Sequence, residues 1–407
     1  MSHKLNQLLL MFVLLVVPLL LLLLGPTVVV ADTLADTSAG TPNSRVTSEL
    51  QPAASGNLSK QQVDLLVKRF VGRPHKSFKD YCLSVYGSSR LTLTESQREA
   101  VGNFAANENL SGSQREVVFR ILGIYAQLKY GGEALSALND LVVIPTVNSS
   151  KDKFKRDKNF RAASALLKRK AKDFGLKFAS LNDSTYQVSF PWRKPKGSSL
   201  VIYTHVDVAP AVDQWRLEGG KAISPFSLTR VGTKFYGRGA SSNKNGIIAA
   251  MFAMRVIVDE NIRLFNEIKL IIDTRGLINQ GQRLDSYASQ FKNTDGMIAL
   301  NGVYPAGAIK TGPKRTASFL LNALSEVATE SLELPHNVDL EKNNETSSEL
   351  SKESVRSAKR LEFGLLLPGQ PDLSRKPLEY KELEEFLLDL QMVTEMMVRV
   401  GQMRRLD

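Results

Sequence analysis

Apolar residues from Leu8 to Leu24 form an almost unbroken run, preceded by Lys4 and followed by Val29-Val30-Ala31. The run is longer than a usual signal core and short for a membrane span, and small residues three and one before Asp32 fit a signal-peptidase site. Residues 1–31 therefore read as a cleaved signal peptide, with an uncleaved N-terminal anchor as the alternative. Residues 32–58 are rich in Ser, Thr, Ala, Pro and Gly without a hydrophobic period and read as a flexible tether.

From 59 to 132 the spacing turns helical. Gln62 to Val67 and Arg115 to Leu122 place apolar residues three to four apart. Ser96 and Glu99 have capping-box spacing. This stretch predicts a small all-helical N-terminal region acting as a packing or spacing module. From 133 to 324 the pattern alternates. Helices are predicted at Ala134 to Val143, at Phe160 to Phe174 with Gly175 as its stop, and at Asn245 to Asp259. Strands are predicted at Tyr186 to Phe190, Leu200 to Tyr203, Glu267 to Ile272 and Met297 to Leu300. Such alternation predicts an α/β fold, a doubly wound mixed sheet. Residues 325–360 are polar and charged and read as a linker. Residues 361–407 close the chain with a periodic helix from Lys381 to about Met403, returning to the α/β domain.

Composition narrows the function. The chain has 407 residues, 43% hydrophobic and 23% charged, which excludes wholesale disorder. Its net charge is +12, with one cysteine, Cys82, and four histidines. A thiolate metal cluster and an intramolecular disulfide are both excluded. The basic excess reads as spread along the chain rather than gathered in one stripe with interleaved aromatics, so nucleic acid is not an expected partner. An exported basic scaffold binding envelope polymers is one reading of that charge.

Two segments carry candidate chemistry. An apolar strand, Leu200 to Thr204, runs into His205-Val-Asp207-Val-Ala-Pro210. A His and an Asp two apart at a strand's C-terminal edge face the ligand crevice of an open α/β sheet, where the imidazole can coordinate metal and the carboxylate can orient a neighbour. The second is Gly237-Arg238-Gly239-Ala-Ser-Ser242-Asn243-Lys244-Asn-Gly246, a glycine loop opening a helix. A hydrogen-bonded strand end and a capped turn are the ordinary readings of these two.

Together with Ile144-Pro-Thr-Val147, Trp215, Pro225-Phe226, Leu367-Pro-Gly-Gln370 and Pro377-Leu-Glu379-Tyr380, these segments resemble the metallopeptidase family M20 (aminoacylases, carboxypeptidases, PepV-like dipeptidases), over roughly Leu135 to Gly401. The resemblance implies a zinc-exopeptidase α/β domain that hydrolyses amide bonds with two zinc ions, a bridging carboxylate, a Glu general base and further carboxylate and His ligands. Carried over position by position, it places the first metal His at His205 and its orienting carboxylate at Asp207. The bridging Asp position holds Ser242. The Glu-Glu position reads Arg275 and Gly276. The next acidic ligand aligns with Asn301, and the last His with Arg375. Four of five ligands and the base are thus replaced.

The resemblance further implies a degenerate dipeptidase-branch member, and the N-terminal leader implies export to the periplasm or medium, or anchoring by that segment. It implies a crevice for a peptide-like or anionic ligand, with Arg275 and Arg375 as anion contacts. Zinc is expected only with residual activity, through His205, Asp207 and Asp273. The family's lid domain has no counterpart beyond about 40 polar residues from Phe319 to Glu362, so a monomer is expected. Membrane contact is expected only through an uncleaved N-terminus. His75 and His336 are expected to be solvated.

Overall fold

The structure is a computed structural model that describes residues 61, 65, 69–70, 75–89, 93–147, 158–192, 197–211, 215–276, 296–300, 360–362, 373 and 376–402. The leader, the tether, His336 and nearly all of the polar linker lie outside the described residues, as does all but Arg360 to Glu362 of the stretch expected to replace the lid.

The helices come first. They are α1 (Phe78–Tyr86), α2 (Glu95–Ala106) and α3 (Gly112–Val142). Thr94 caps α2 and Gln97 closes the box on it, so the capping frame starts two residues before the predicted Ser96. Ser111 and Gln114 make the same box at α3. The predicted boundary at 132/133 falls inside α3, which runs through it without a break. Two glycines within α3 serve for close approach: a Cβ at Gly123 would stand 2.9 Å from the Gln391 carbonyl oxygen, and one at Gly131 would stand against the Leu387 side chain. His75 is also not solvated. Its side chain is 2% exposed, its ring lies 5.4 Å from Phe70 and 5.1 Å from Tyr81, and its Nδ1 is 3.4 Å from Asp80.

The α/β region follows as α4 (Lys158–Asp173), β1 (Lys177–Asn182), β2 (Thr185–Ser189), β3 (Ser199–His205), β4 (Thr229–Val231), β5 (Lys234–Tyr236), α5 (Asn243–Asp259), β6 (Glu267–Asp273), β7 (Gly296–Ala299), β8 (Arg360–Glu362), β9 (Tyr380–Glu382) and α6 (Leu383–Gln402). The main sheet has the order β1-β2-β6-β3-β7-β8. Its β6-β3-β7-β8 part is parallel and the β1-β2 hairpin joins antiparallel, which gives the mixed sheet that alternation predicted. A second antiparallel sheet, β4-β5-β9, brings the end of the chain beside the glycine loop.

Strand β3 is buried along its whole length, as a parallel central strand covered on both faces must be. Its Leu200 and Ile202 join the large core that α3, α4, α5 and α6 share, while Val201 and Tyr203 join a smaller cluster with Ile271 and Ala299. Helix α5 is apolar almost all round and buried accordingly. Helices α3 and α6 are also cross-linked by charge. Glu395 accepts from Arg120 at 3.0 Å and from Arg399 at 2.8 Å, all three buried. The helical N-terminal region is thereby built into the core of the α/β domain.

Candidate functional site

The register of β3 on β6 pairs His205 with Asp273, so both stand at the C-terminal edge of the sheet. The segment beyond β3 is held by Ile144-Pro-Thr-Val147: the Thr146 hydroxyl donates to Val206 O at 2.6 Å, Val208 N–H donates to Thr146 O at 3.0 Å, and Val147 bridges Val208. This fixes Asp207, which is fully buried, against His205. The imidazole Nδ1 lies 2.8 Å from Asp207 Oδ1 and 3.2 Å from Asp207 O. Both are acceptors, so Nδ1 carries the hydrogen and Nε2 is the nitrogen left for coordination.

The other replaced positions close around this pair. Gly276 lies directly on the imidazole: a Cβ there would come within 2.8 Å of His205 Cδ2 and closer still to its Cβ and Cγ. A carboxylate side chain at 276 has no room beside His205 in this backbone. Asp273 accepts from Arg275 N–H at 2.9 Å and from the Tyr203 hydroxyl at 3.2 Å. Among the described residues no three His, Cys, Asp or Glu side chains are placed to hold a metal ion. Asn301 and Arg375 lie outside the described residues.

Ser242 is the N-cap of α5 but makes no side-chain cap bond. Its hydroxyl instead donates to Glu379 Oε1 at 3.1 Å. Glu379 is fully buried, and the same oxygen accepts from Ser241 N–H at 3.2 Å and Ser241 Oγ at 3.0 Å. Its other oxygen lies 3.3 Å from Arg238 Nη1. Burial raises the Glu379 carboxyl above its ordinary value, opposed by the Gly239 backbone N–H, by Arg238 and by the Ser241 donors. Arg238 stacks on Trp215 at 5.1 Å and donates to Lys376 O at 2.9 Å and Pro210 O at 3.4 Å. Pro210, Trp215, Arg238 and Glu379 thus converge on one another and form a wall beside the glycine loop.

Two groups in this wall escaped the sequence. Glu379 was visible only as part of a tail motif, with no role attached. Lys244, in the first turn of α5, is fully buried and donates to Leu141 O at 3.0 Å and Ile144 O at 2.7 Å, closing the C-terminal end of α3. Burial pulls its amine down to about 7, against the pull of Glu379 in the other direction. Gly239 makes room for it: φ is +89°, and a Cβ would stand 2.9 Å from Lys244 Cδ.

Among the described residues, the donor set does not fit a two-metal centre. One free imidazole nitrogen remains, the bridging position is a hydroxyl already donating to a buried carboxylate, and the carboxylate-pair position is closed by a glycine against His205. The described cavities lie elsewhere. One of about 160 Å³ lies by Lys177, Trp192 and Lys269, and one of about 700 Å³ between α1 and α2 by Tyr86, Arg98 and Glu99.

A parallel strand ending in His-x-Asp, faced by a glycine loop at a buried helix N-terminus, sits at the centre of this mixed α/β fold. Residues 201–275 match the family model described as peptidase family M20/M25/M40. The chain is 33% identical over 80 residues to the putative dipeptidase YtjP of Bacillus subtilis (strain 168), covering 19% of this chain and 16% of that one. It is 44% identical over 55 residues to Beta-Ala-His dipeptidase of Rattus norvegicus, covering 14% and 10%. Human carnosine dipeptidase 1 aligns in structure with a TM-score of 0.38 at 20% identity, over 47% of this chain and 43% of that one. The chain therefore matches less than a fifth of the length of these curated relatives.

Proposed function

We propose that this protein is a dipeptidase-branch member of the M20 family that has lost hydrolysis and keeps the crevice at the C-terminal edge of β3 as a binding site. The observation that carries the reading is the Ser242 hydroxyl donated to Glu379 at the position where the family bridges its metals. A hydroxide forms near neutral pH only between or beside held cations, and this wall supplies no carboxylate pair to hold them. The occupant is a peptide-like or anionic small molecule, since the replaced positions now carry neutral or cationic side chains at Ser242 and Arg275. We infer the compartment from the apolar leader alone: exported, to the periplasm or medium, or anchored. A monomer follows from the missing lid.

The intact His205–Asp207 pair at 2.8 Å favours a second reading, residual amide hydrolysis with a single metal ion. Metal analysis of the purified chain, followed by assay against dipeptides and N-acyl amino acids, separates the two. The expected result is substoichiometric zinc and no turnover. Near-stoichiometric zinc, with turnover abolished by His205→Ala, overturns the first reading.

A further inference from the structure

The basic charge is not spread evenly. Residues 151–177 hold eleven Lys and Arg against three Asp, a surplus of eight within a chain whose whole net charge is +12. Helix α4 arranges this surplus. Lys158, Arg161, Lys168, Arg169 and Lys172 are all exposed, and at 3.6 residues per turn they fall within about 100° of arc over ~21 Å of helix. The opposite face, Phe160, Ala163, Leu166, Leu167 and Ala171, is buried in the core. Lys170, off the stripe, pairs with Asp140 at 3.1 Å. Lys177, exposed at the start of edge strand β1, extends the basic surface beyond the helix. The expectation of dispersed charge is thus corrected: the sequence places these residues at irregular intervals, and only the helix aligns them.

We propose that the α4 stripe is a docking surface for an anionic lipid bilayer, independent of the crevice. Three features choose a bilayer over a linear polyanion. The residues between the cations on the outer face are small, Ala162 and Ala165, so the surface is level and not grooved. The outer face carries no aromatic ring on which a base could stack. The apolar run from Leu8 to Leu24, read as an export leader or an anchor, would carry the chain to or across a membrane. Because the apolar face of α4 is buried in the fold, the helix docks by charge and does not insert.

The test is co-sedimentation of the full chain with vesicles of phosphatidylcholine alone and of phosphatidylcholine with phosphatidylglycerol, at low and high salt. The preference for anionic vesicles measures the stripe, because the Leu8–Leu24 run contributes to both. The expected result is a salt-sensitive preference that falls by at least ~10-fold when Lys158, Arg161, Lys168, Arg169 and Lys172 are all changed to Gln, each cation near the surface being worth ~5-fold. Lys168→Gln with Arg169→Gln, a milder pair, should lose part of it and guards against misfolding of the full set. A control with Lys76, Lys79, Lys221, Arg230 and Lys376 changed to Gln removes equal charge elsewhere and should retain the preference. Equal loss in stripe and control variants overturns the proposal, as does unchanged preference in the stripe variant. Tighter binding to duplex DNA than to anionic vesicles at matched salt also overturns it.

Discussion

Ser242 and Glu379 lie 137 residues apart in the chain and meet at 3.1 Å, hydroxyl to carboxylate, at the mouth of α5. The N-cap serine has given up its own helix to satisfy a buried acid. With Ser241 it supplies three donors to one oxygen, while Arg238 holds the other. Both oxygens of the buried Glu379 are thereby engaged by donors of the glycine loop.

Acids placed at positions 242 and 276 should not create a two-metal site. Ser242→Asp sets a second carboxylate against buried Glu379, and Gly276→Glu drives a side chain into His205. The double variant is expected to melt at a lower temperature than the parent and to take up no stoichiometric zinc. Zinc analysis and a thermal melt check it, and two bound zinc ions would falsify the assignment of a closed site.

Glu379→Ala leaves the Arg238 guanidinium buried without its carboxylate and strips the acceptor from both serines. A loss of about 3–5 kcal/mol is expected in urea unfolding. Glu379→Gln keeps an acceptor oxygen and should lose less. Ser242→Ala removes one neutral donor and should cost about 1 kcal/mol.

Two buried groups predict opposite slopes of stability with pH. The Lys244 amine, ordinarily at 10.5, is lowered to about 7 by burial, so between those values the unfolded chain binds the extra proton and stability rises with pH. The Asp389 carboxyl is raised from 3.8 to about 6, mainly by burial, so between those values the folded chain binds the extra proton and stability falls as pH rises. Lys244→Met should flatten the first rise and Asp389→Asn the second fall. Urea midpoints taken across pH 4 to 10 in parent and variants read both.

The junction of α3 with α6 tolerates no added volume at one point. Gly123→Ala places a methyl 2.9 Å from the Gln391 carbonyl oxygen, which is backbone and cannot swing aside. Destabilisation of about 1–3 kcal/mol is expected. Across the same junction, Glu395→Ala leaves Arg120 and Arg399 buried and unmatched by it, and should lose about 3–5 kcal/mol. If the helical region were a detachable module, both variants would leave the α/β melt unchanged.

The elements were legible where one rule governed them. The run from Leu200 to Thr204 is a buried parallel strand because every residue in it is apolar or small, and Gly175 ends α4 at φ +69° as a helix stop should. Rules that depend on a distant partner misled. The boundary expected at 132/133 falls inside α3, because nothing nearby in the chain shows that Leu387 will lie over Gly131. His75 looked solvated because Phe70 and Tyr81 enclose it only once α1 has packed.

By itself the sequence determined the alternation of strand and helix, the His205-x-Asp207 strand end, the glycine loop, and the residue types at Ser242, Arg275 and Gly276. These are local, set by residue type and spacing. Tertiary structure alone decided that the motif residues answer to one another, that Glu379 is their hub, that α3 carries the helical region into the core, and that five cations share one face of α4. The physical reason is the same in each case. A hydrogen bond, a buried charge or a helix face is defined by what stands opposite it in space, and the chain order does not record that.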